Sequence, residues 1–223
     1  MNNDIIPITY FPGTGGNFLC HFLISAKLKN KELIKLGDTG NAHFNGLKDI
    51  RWSKERLNQT DDFIINFLPN PINKNAYAIP PYFCPVHLFD AKLINESFKR
   101  SIRITYDLDD VEDIGIIFFK KFYEPIINTR SSELDRLVYD NSGISTLEEI
   151  ILDTKRNASC FTREMNMTNI LFISWKEYFR GNIEDLITKL SSFTEINSFD
   201  FSRESLILWR GKTQHCLNLY RKQ

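Results

Sequence analysis

The chain has 223 residues, with 28 basic and 28 acidic side chains, 42% hydrophobic and 25% charged, a composition that supports a sizeable core and excludes global disorder. Balanced charge supplies no broad cationic field, which argues against nucleic acid as a partner. The four cysteines, Cys20, Cys84, Cys160 and Cys216, form no CxxC pair; they exclude a zinc knuckle or dithiol motif and read as free thiols in a reducing compartment.

Ile5 to Phe11 is a short β-rich run whose Pro7 stands near its start, where a strand best tolerates proline. Its unbroken apolarity predicts a strand buried on both faces. Three glycines follow within four positions, and then Phe18, Leu19, Phe22, Leu23 and Ala26 recur at helical spacing. Residues 37–60 are polar and glycine-bearing and read as a loop with room for one short helix near Lys54. FIINFL, residues 63–68, is a candidate second strand. The proline-rich stretch that follows, through His87, reads as irregular structure or one short strand with a rigid rim. AKLINESFKR predicts a helix and SIRITYDL a strand rich in β-branched residues. IGIIFFKKFYEPII carries helical apolar spacing up to Pro125, and residues 128–160 are mixed and read as partly helical. Asn169–Ile173 predicts another strand, followed by a turn. Ile183, Leu186, Ile187, Leu190 and Phe193 line one side of a short helix, and Phe201–Tyr220 supports a last one.

Strands separated by helices predict a three-layer α/β fold, a mainly parallel sheet flanked by helices, in a single domain over residues 1–223. Ligands bind such sheets at the edge where the strands end. The amino-terminal MNNDIIPITYF lacks a basic segment followed by a long apolar one. No stretch approaches the roughly 18 apolar residues of a membrane span. The expectation is a cytoplasmic protein without a transmembrane segment.

The turn FPGTGGNF is the most informative stretch. A strand that hands over to a helix through bare backbone can aim several N–H groups at one anion, aided by the helix's unsatisfied amides and positive dipole end. Gly13, Gly15 and Gly16 permit left-handed dihedrals and close approach. Thr14 and Asn17 add side-chain donors, and Phe18 opens the helix. The stretch lacks the lysine and Ser/Thr of a Walker A loop, and it misses the third glycine of a dinucleotide fingerprint. A tight turn with glycines for packing is the competing explanation.

YFPGTGGNFL resembles the nucleotide-binding loop of the sulfotransferase family, with Pro12, Thr14, Gly15, Phe18 and Leu19 in the matching places. The segment TNILFISWKEYFRGNIEDLITKLSSF is similar to that family's late strand, turn and helix. The resemblance implies a P-loop-type fold and metal-free binding of 3′-phosphoadenosine 5′-phosphosulfate by residues Gly13 to Phe18. It implies transfer of a sulfuryl group to a hydroxyl or amine of a sugar, lipid or small molecule. Two departures stand out. The family's loop lysine is matched by Gly13, and the arginine expected after the third strand is replaced by the acidic Asp107–Asp109 region. Lys120, Lys121, Arg130 or Arg163 are the basic residues available to substitute. A non-catalytic nucleotide- or anion-binding module of the same fold, or a divergent phosphotransferase, are the alternatives.

Among other candidates, His87 lies between a strand and a helix, where a histidine suits general-base removal of an acceptor proton; the resembling family often uses a histidine there. His21 sits on the first helix. The cluster Asp107, Asp109, Asp110, Glu112 and Asp113 lacks the glycine and closing glutamate of a calcium loop and reads best as a cap on the next helix. No metal-ligand spacing occurs among the histidines and cysteines. Lys155, Arg156 and Arg203 read as solvated charge. Trp175 and Trp209 read as core or lid residues, and Trp52 as part of an acceptor-side loop.

Overall fold

The computed structural model describes residues 5–29, 34–38, 40, 42–43, 81–86, 94–96, 98–124, 146–161 and 167–221. The FIINFL segment, Trp52, His87, Arg130 and Arg163 lie outside the described residues.

Ile5–Thr9 forms β1, Gly16–Leu28 forms α1, and Lys35–Leu36 (β2) pairs antiparallel with Ala42–His43 (β3). Tyr82–Val86 is β4 and Ser101–Thr105 is β5. Val111–Phe118 (α2) runs on into a π-helical turn at Phe119–Tyr123. Leu147–Asn157 is α3, Ile170–Ser174 is β6, Trp175–Arg180 is α4, Ile183–Thr194 is α5 and Asp200–Tyr220 is α6.

Four strands build one sheet in the order β4–β1–β5–β6, and every pairing is parallel. The fold is therefore α/β with a parallel sheet and helices. All five residues of β1 and of β5 are buried, as central strands covered on both faces require. Pro7 sits in this interior strand because the ladder from β1 to β5 involves only Ile8 and Thr9, beyond the proline. β4 decides between the two sequence readings of that stretch in favour of one short strand. It is the edge strand, where Pro85 leaves no interior ladder incomplete. The turn expected after the last strand is instead the short helix α4, started by Ser174, whose hydroxyl accepts from the Glu177 N–H at 3.1 Å.

The helices are placed by ordinary end signals and apolar stripes. Thr146 and Glu149 cap α3 reciprocally, at 3.2 Å and 2.9 Å. Asn182 accepts from the N–H groups of Glu184 and Asp185 at the start of α5. Lys27, in the last turn of α1, donates to the Pro81 carbonyl at 2.9 Å and ties that helix to the start of β4. Asp113 on α2 is buried and accepts from Arg180 of α4 at 2.8 Å and from Arg221 after α6, so one carboxylate joins three elements. Among the described residues, no helix is long and apolar enough to cross a membrane.

α2 and α3 pack closely through Gly115, where a Cβ would lie 2.7 Å from Ile151 Cγ1 and 3.3 Å from its Cα. Alanine normally gains about 1 kcal/mol over glycine inside a helix, but overpacking costs about 1–3 kcal/mol. Gly115→Ala is expected to destabilise by about 1 kcal/mol in urea unfolding, the contact outweighing the propensity. Gly211, with nothing within 4 Å of its Cβ position, is the control: Gly211→Ala is expected to stabilise by up to about 1 kcal/mol.

Candidate functional site

β1 lies between β4 and β5, so the chain leaves β1 to one side and later returns on the other. The carboxyl ends of β1 and β5 thus flank a topological switch point, the place where open parallel sheets hold ligands. The turn from Tyr10 to Gly15 stands there. Gly15 is the residue preceding α1, at φ 88°, and as a glycine it offers this helix start no side-chain cap. The amides of the first turn of α1 are orphan donors at the positive end of the helix dipole.

Each glycine of the turn also answers to a neighbour. Gly13 has φ 90°, and a Cβ there would lie 2.6 Å from the Ile114 carbonyl oxygen and 3.0 Å from Phe118 Cβ. At Gly15 it would lie 2.4 Å from Trp209 Cζ2 and 3.2 Å from Tyr178 Cε1, and at Gly16 2.0 Å from Tyr10 Cγ. Position 13 is therefore closed to a lysine: the backbone is left-handed and the Cβ direction points into α2. α2 thus fills the space that a side chain at position 13 would need.

The side chains of the turn are committed as well. Thr14 is fully buried, and its hydroxyl and its N–H both go to the Phe11 carbonyl, at 2.7 Å and 3.1 Å. Asn17 accepts from the Tyr10 hydroxyl at 2.7 Å. The Phe18 ring is stacked on Trp209, centroids 4.8 Å apart and 6° from parallel, which makes it a core residue. Tyr178 stacks on the same indole at 4.8 Å and donates its hydroxyl to the Gly15 carbonyl at 3.2 Å. Of the six residues proposed from sequence, Thr14 and Phe18 turn their side chains into the protein and the three glycines have none, while the half-buried Asn17 is held through its Oδ1.

At the end of β5 the acidic cluster forms a cap. Asp110 is buried, accepts from the Asp107 N–H at 3.0 Å and donates its own N–H to the Asp107 carbonyl at 3.0 Å. Burial pushes its carboxyl upward, opposed by that hydrogen bond and by Lys176. Lys176 lies 4.0, 3.7 and 3.7 Å from Asp107, Asp109 and Asp110. Glu112 and Asp113 follow in the first turn of α2, where carboxylates oppose the helix dipole favourably. Among the described residues, no group of three or more His, Cys, Asp or Glu is arranged to hold a metal ion.

Among the described lysines and arginines two are buried: Arg103 on β5, whose guanidinium donates to the Thr9 hydroxyl at 3.4 Å and to the Cys160 carbonyl and lies 4.7 Å from the Phe161 ring centroid, and Lys121. Lys121, in the π-helical turn after α2, is only 7% exposed. Its ammonium donates to Thr213 Oγ1 at 3.2 Å and lies 5.6 Å from the centroid of the Trp209 ring. Burial lowers its pKa to about 8, with the neighbouring Cys216 opposing. Lys120 beside it is spent on Glu124 at 2.6 Å. Lys155 and Arg156 are exposed at the end of α3, and Arg203 pairs with Glu184. His21 is buried on α1 and His215 is exposed on α6. The closure of Tyr178 and Trp209 over the turn has no local sequence signal, because they stand more than 160 positions away along the chain.

No protein-family model matches this chain, and no curated protein shows significant similarity to it.

Two expectations follow. Gly15→Ala meets a left-handed backbone and the Trp209 ring together; it is expected to destabilise by about 2–4 kcal/mol and to perturb tryptophan fluorescence in the remaining folded protein. Lys121 titrates near 10.5 when unfolded and near 8 when folded. Its burial therefore costs stability at all pH values below about 8, and the cost vanishes as pH rises to the unfolded value. Over that interval the native chain is expected to gain on the order of 3 kcal/mol relative to Lys121→Met, read as the difference between their urea-unfolding free energies.

Proposed function

We propose that this chain is an anion-binding α/β domain that takes the phosphate end of an adenine nucleotide on the first turn of α1. In the sulfotransferase-like reading that ligand is 3′-phosphoadenosine 5′-phosphosulfate, its 5′-phosphosulfate lying against the amides of residues 13–18. The observation that carries the proposal is a helix start without a side-chain cap, behind left-handed Gly13 and Gly15, at the switch point of a parallel sheet. The turn lacks the lysine and the Ser/Thr with which a Walker loop engages phosphate and magnesium, so binding is independent of that metal.

Binding is favoured over turnover. In sulfuryl transfer an acceptor oxygen or nitrogen loses its proton to a base, bonds to sulfur, and displaces the phosphate oxygen of the donor. Donors must be aimed at the oxygens that gain charge. Position 13 cannot carry a cation, and the side chains of Thr14 and Phe18 are engaged within the protein. His87 stays the candidate base should transfer to a sugar, lipid or small-molecule hydroxyl be detected.

Isothermal titration with 3′-phosphoadenosine 5′-phosphate, ATP and NAD, each with and without magnesium, tests this. Saturable binding of the first, unchanged by magnesium, is expected. Absence of binding by all three nucleotides would sink the proposal.

A further inference from the structure

The glycine turn is held between two walls. One is α2, whose Ile114 carbonyl and Phe118 Cβ fill the space beside Gly13. The other is built by α4 and α6, whose Tyr178 and Trp209 rings fill the space beside Gly15. α4 and α6 are joined to each other. The Arg210 guanidinium on α6 donates to the Tyr178 carbonyl at 2.6 and 2.9 Å, to the Gly181 carbonyl at 2.7 Å and to the Glu177 carbonyl at 3.3 Å, and so closes the last turn of α4. The Tyr178 and Trp209 rings stack between the same two helices.

The two walls meet at one carboxylate. Asp113, the residue before Ile114, is buried on α2; its Oδ2 accepts from Arg180 of α4 at 2.8 Å and its Oδ1 accepts from Arg221, directly after α6. Both carboxylate oxygens are thus committed to the opposite wall, while the two arginine side chains are half-exposed. α2 and its π-helical turn also meet α6 where Lys121 donates to Thr213 and where Lys120 lies 5.3 Å from the Tyr220 ring centroid. Those contacts join a charge to a neutral partner, whereas Asp113 brings opposite charges together, and hydrogen bonds between ions are about twice as strong as neutral ones. Breaking a pair whose carboxylate is buried is correspondingly costly. Once it is broken, water reaches both guanidiniums without further rearrangement.

We propose that Asp113, with Arg180 and Arg221, is the latch of a gate over the glycine turn. With the latch closed, Trp209 and Tyr178 lie on the turn. With it released, the wall of α4 and α6 separates from α2 and uncovers the main chain of residues 13–16. The gate governs access to the turn and stands whether or not the turn takes a nucleotide. It gives the buried carboxylate of α2 a role apart from the cap formed by Asp107 and Asp110, and it makes the Trp209 ring the moving part.

Amide hydrogen exchange of the full chain, read by mass spectrometry without ligand, tests this. Peptides covering residues 10–20 report the turn, and peptides covering β5 report global opening. Asp113→Asn is expected to speed exchange in residues 10–20 by about tenfold or more, the scale of one charge-assisted contact, and to leave β5 unchanged. Arg180→Met and Arg221→Met should each speed it less, and the two together should match Asp113→Asn. Unchanged exchange in residues 10–20 of Asp113→Asn overturns the proposal. So does equal acceleration there and in β5, which reads as a plain loss of stability. If Asp113→Asn does not fold, the double arginine variant decides by the same two criteria. No nucleotide enters the experiment, so its failure leaves the anion-binding reading to its own titration.

Discussion

The contact between the Trp209 indole and the backbone of Gly15 is the constraint on which the candidate site depends. The ring lies where any side chain at position 15 would have to go. It is sandwiched with Phe18 and Tyr178 in stacked geometry, and Tyr178 completes the join through the Gly15 carbonyl. One aromatic stack thus fastens α6 and α4 to the hinge between β1 and α1. Aromatic stacking of this kind adds about 0.5–1.5 kcal/mol beyond the area buried. Here it also fixes how much room remains around the start of α1.

That constraint separates two meanings of a glycine-rich turn. Glycines can bare the backbone to a ligand, or to the protein's own side chains. At Gly13, Gly15 and Gly16 the second meaning is visible in the contacts with Ile114, Phe118, Trp209 and Tyr10. The first survives in the amides at the start of α1, to which Gly15 offers no side-chain cap. The turn is packed from behind by aromatics and retains an anion-favouring helix end.

Charge in this part of the molecule is unevenly placed. The carboxylates after β5 are absorbed locally by caps, by Lys176 and by the arginines that meet Asp113. Lys120 and Arg203 also have carboxylate partners. Lys121 contrasts with them: it is buried among Trp209, Thr213 and Cys216, where a net charge interacts more strongly than at the surface. Its distance from the turn in sequence is no guide to its distance in space.

From the sequence alone came the parallel α/β arrangement, because β1 is a continuous apolar run, β5 is rich in β-branched residues, and α1, α5 and α6 carry apolar stripes or clear end signals. The acidic residues from Asp107 to Asp113 were legible as a cap for the same local reason. β4 was harder to read, since Pro85 looks like a breaker until the strand is seen to lie at the edge of the sheet. The α4 helix was missed because it has only six residues and its start depends on one serine. The glycine turn was recognisable by composition, but whether its bareness faces a ligand or a tryptophan was decided only by tertiary structure. So was the burial of Lys121. Periodicity and end signals act over a few residues and are written along the chain, whereas close approach and an uncompensated buried charge arise between residues that only folding brings together.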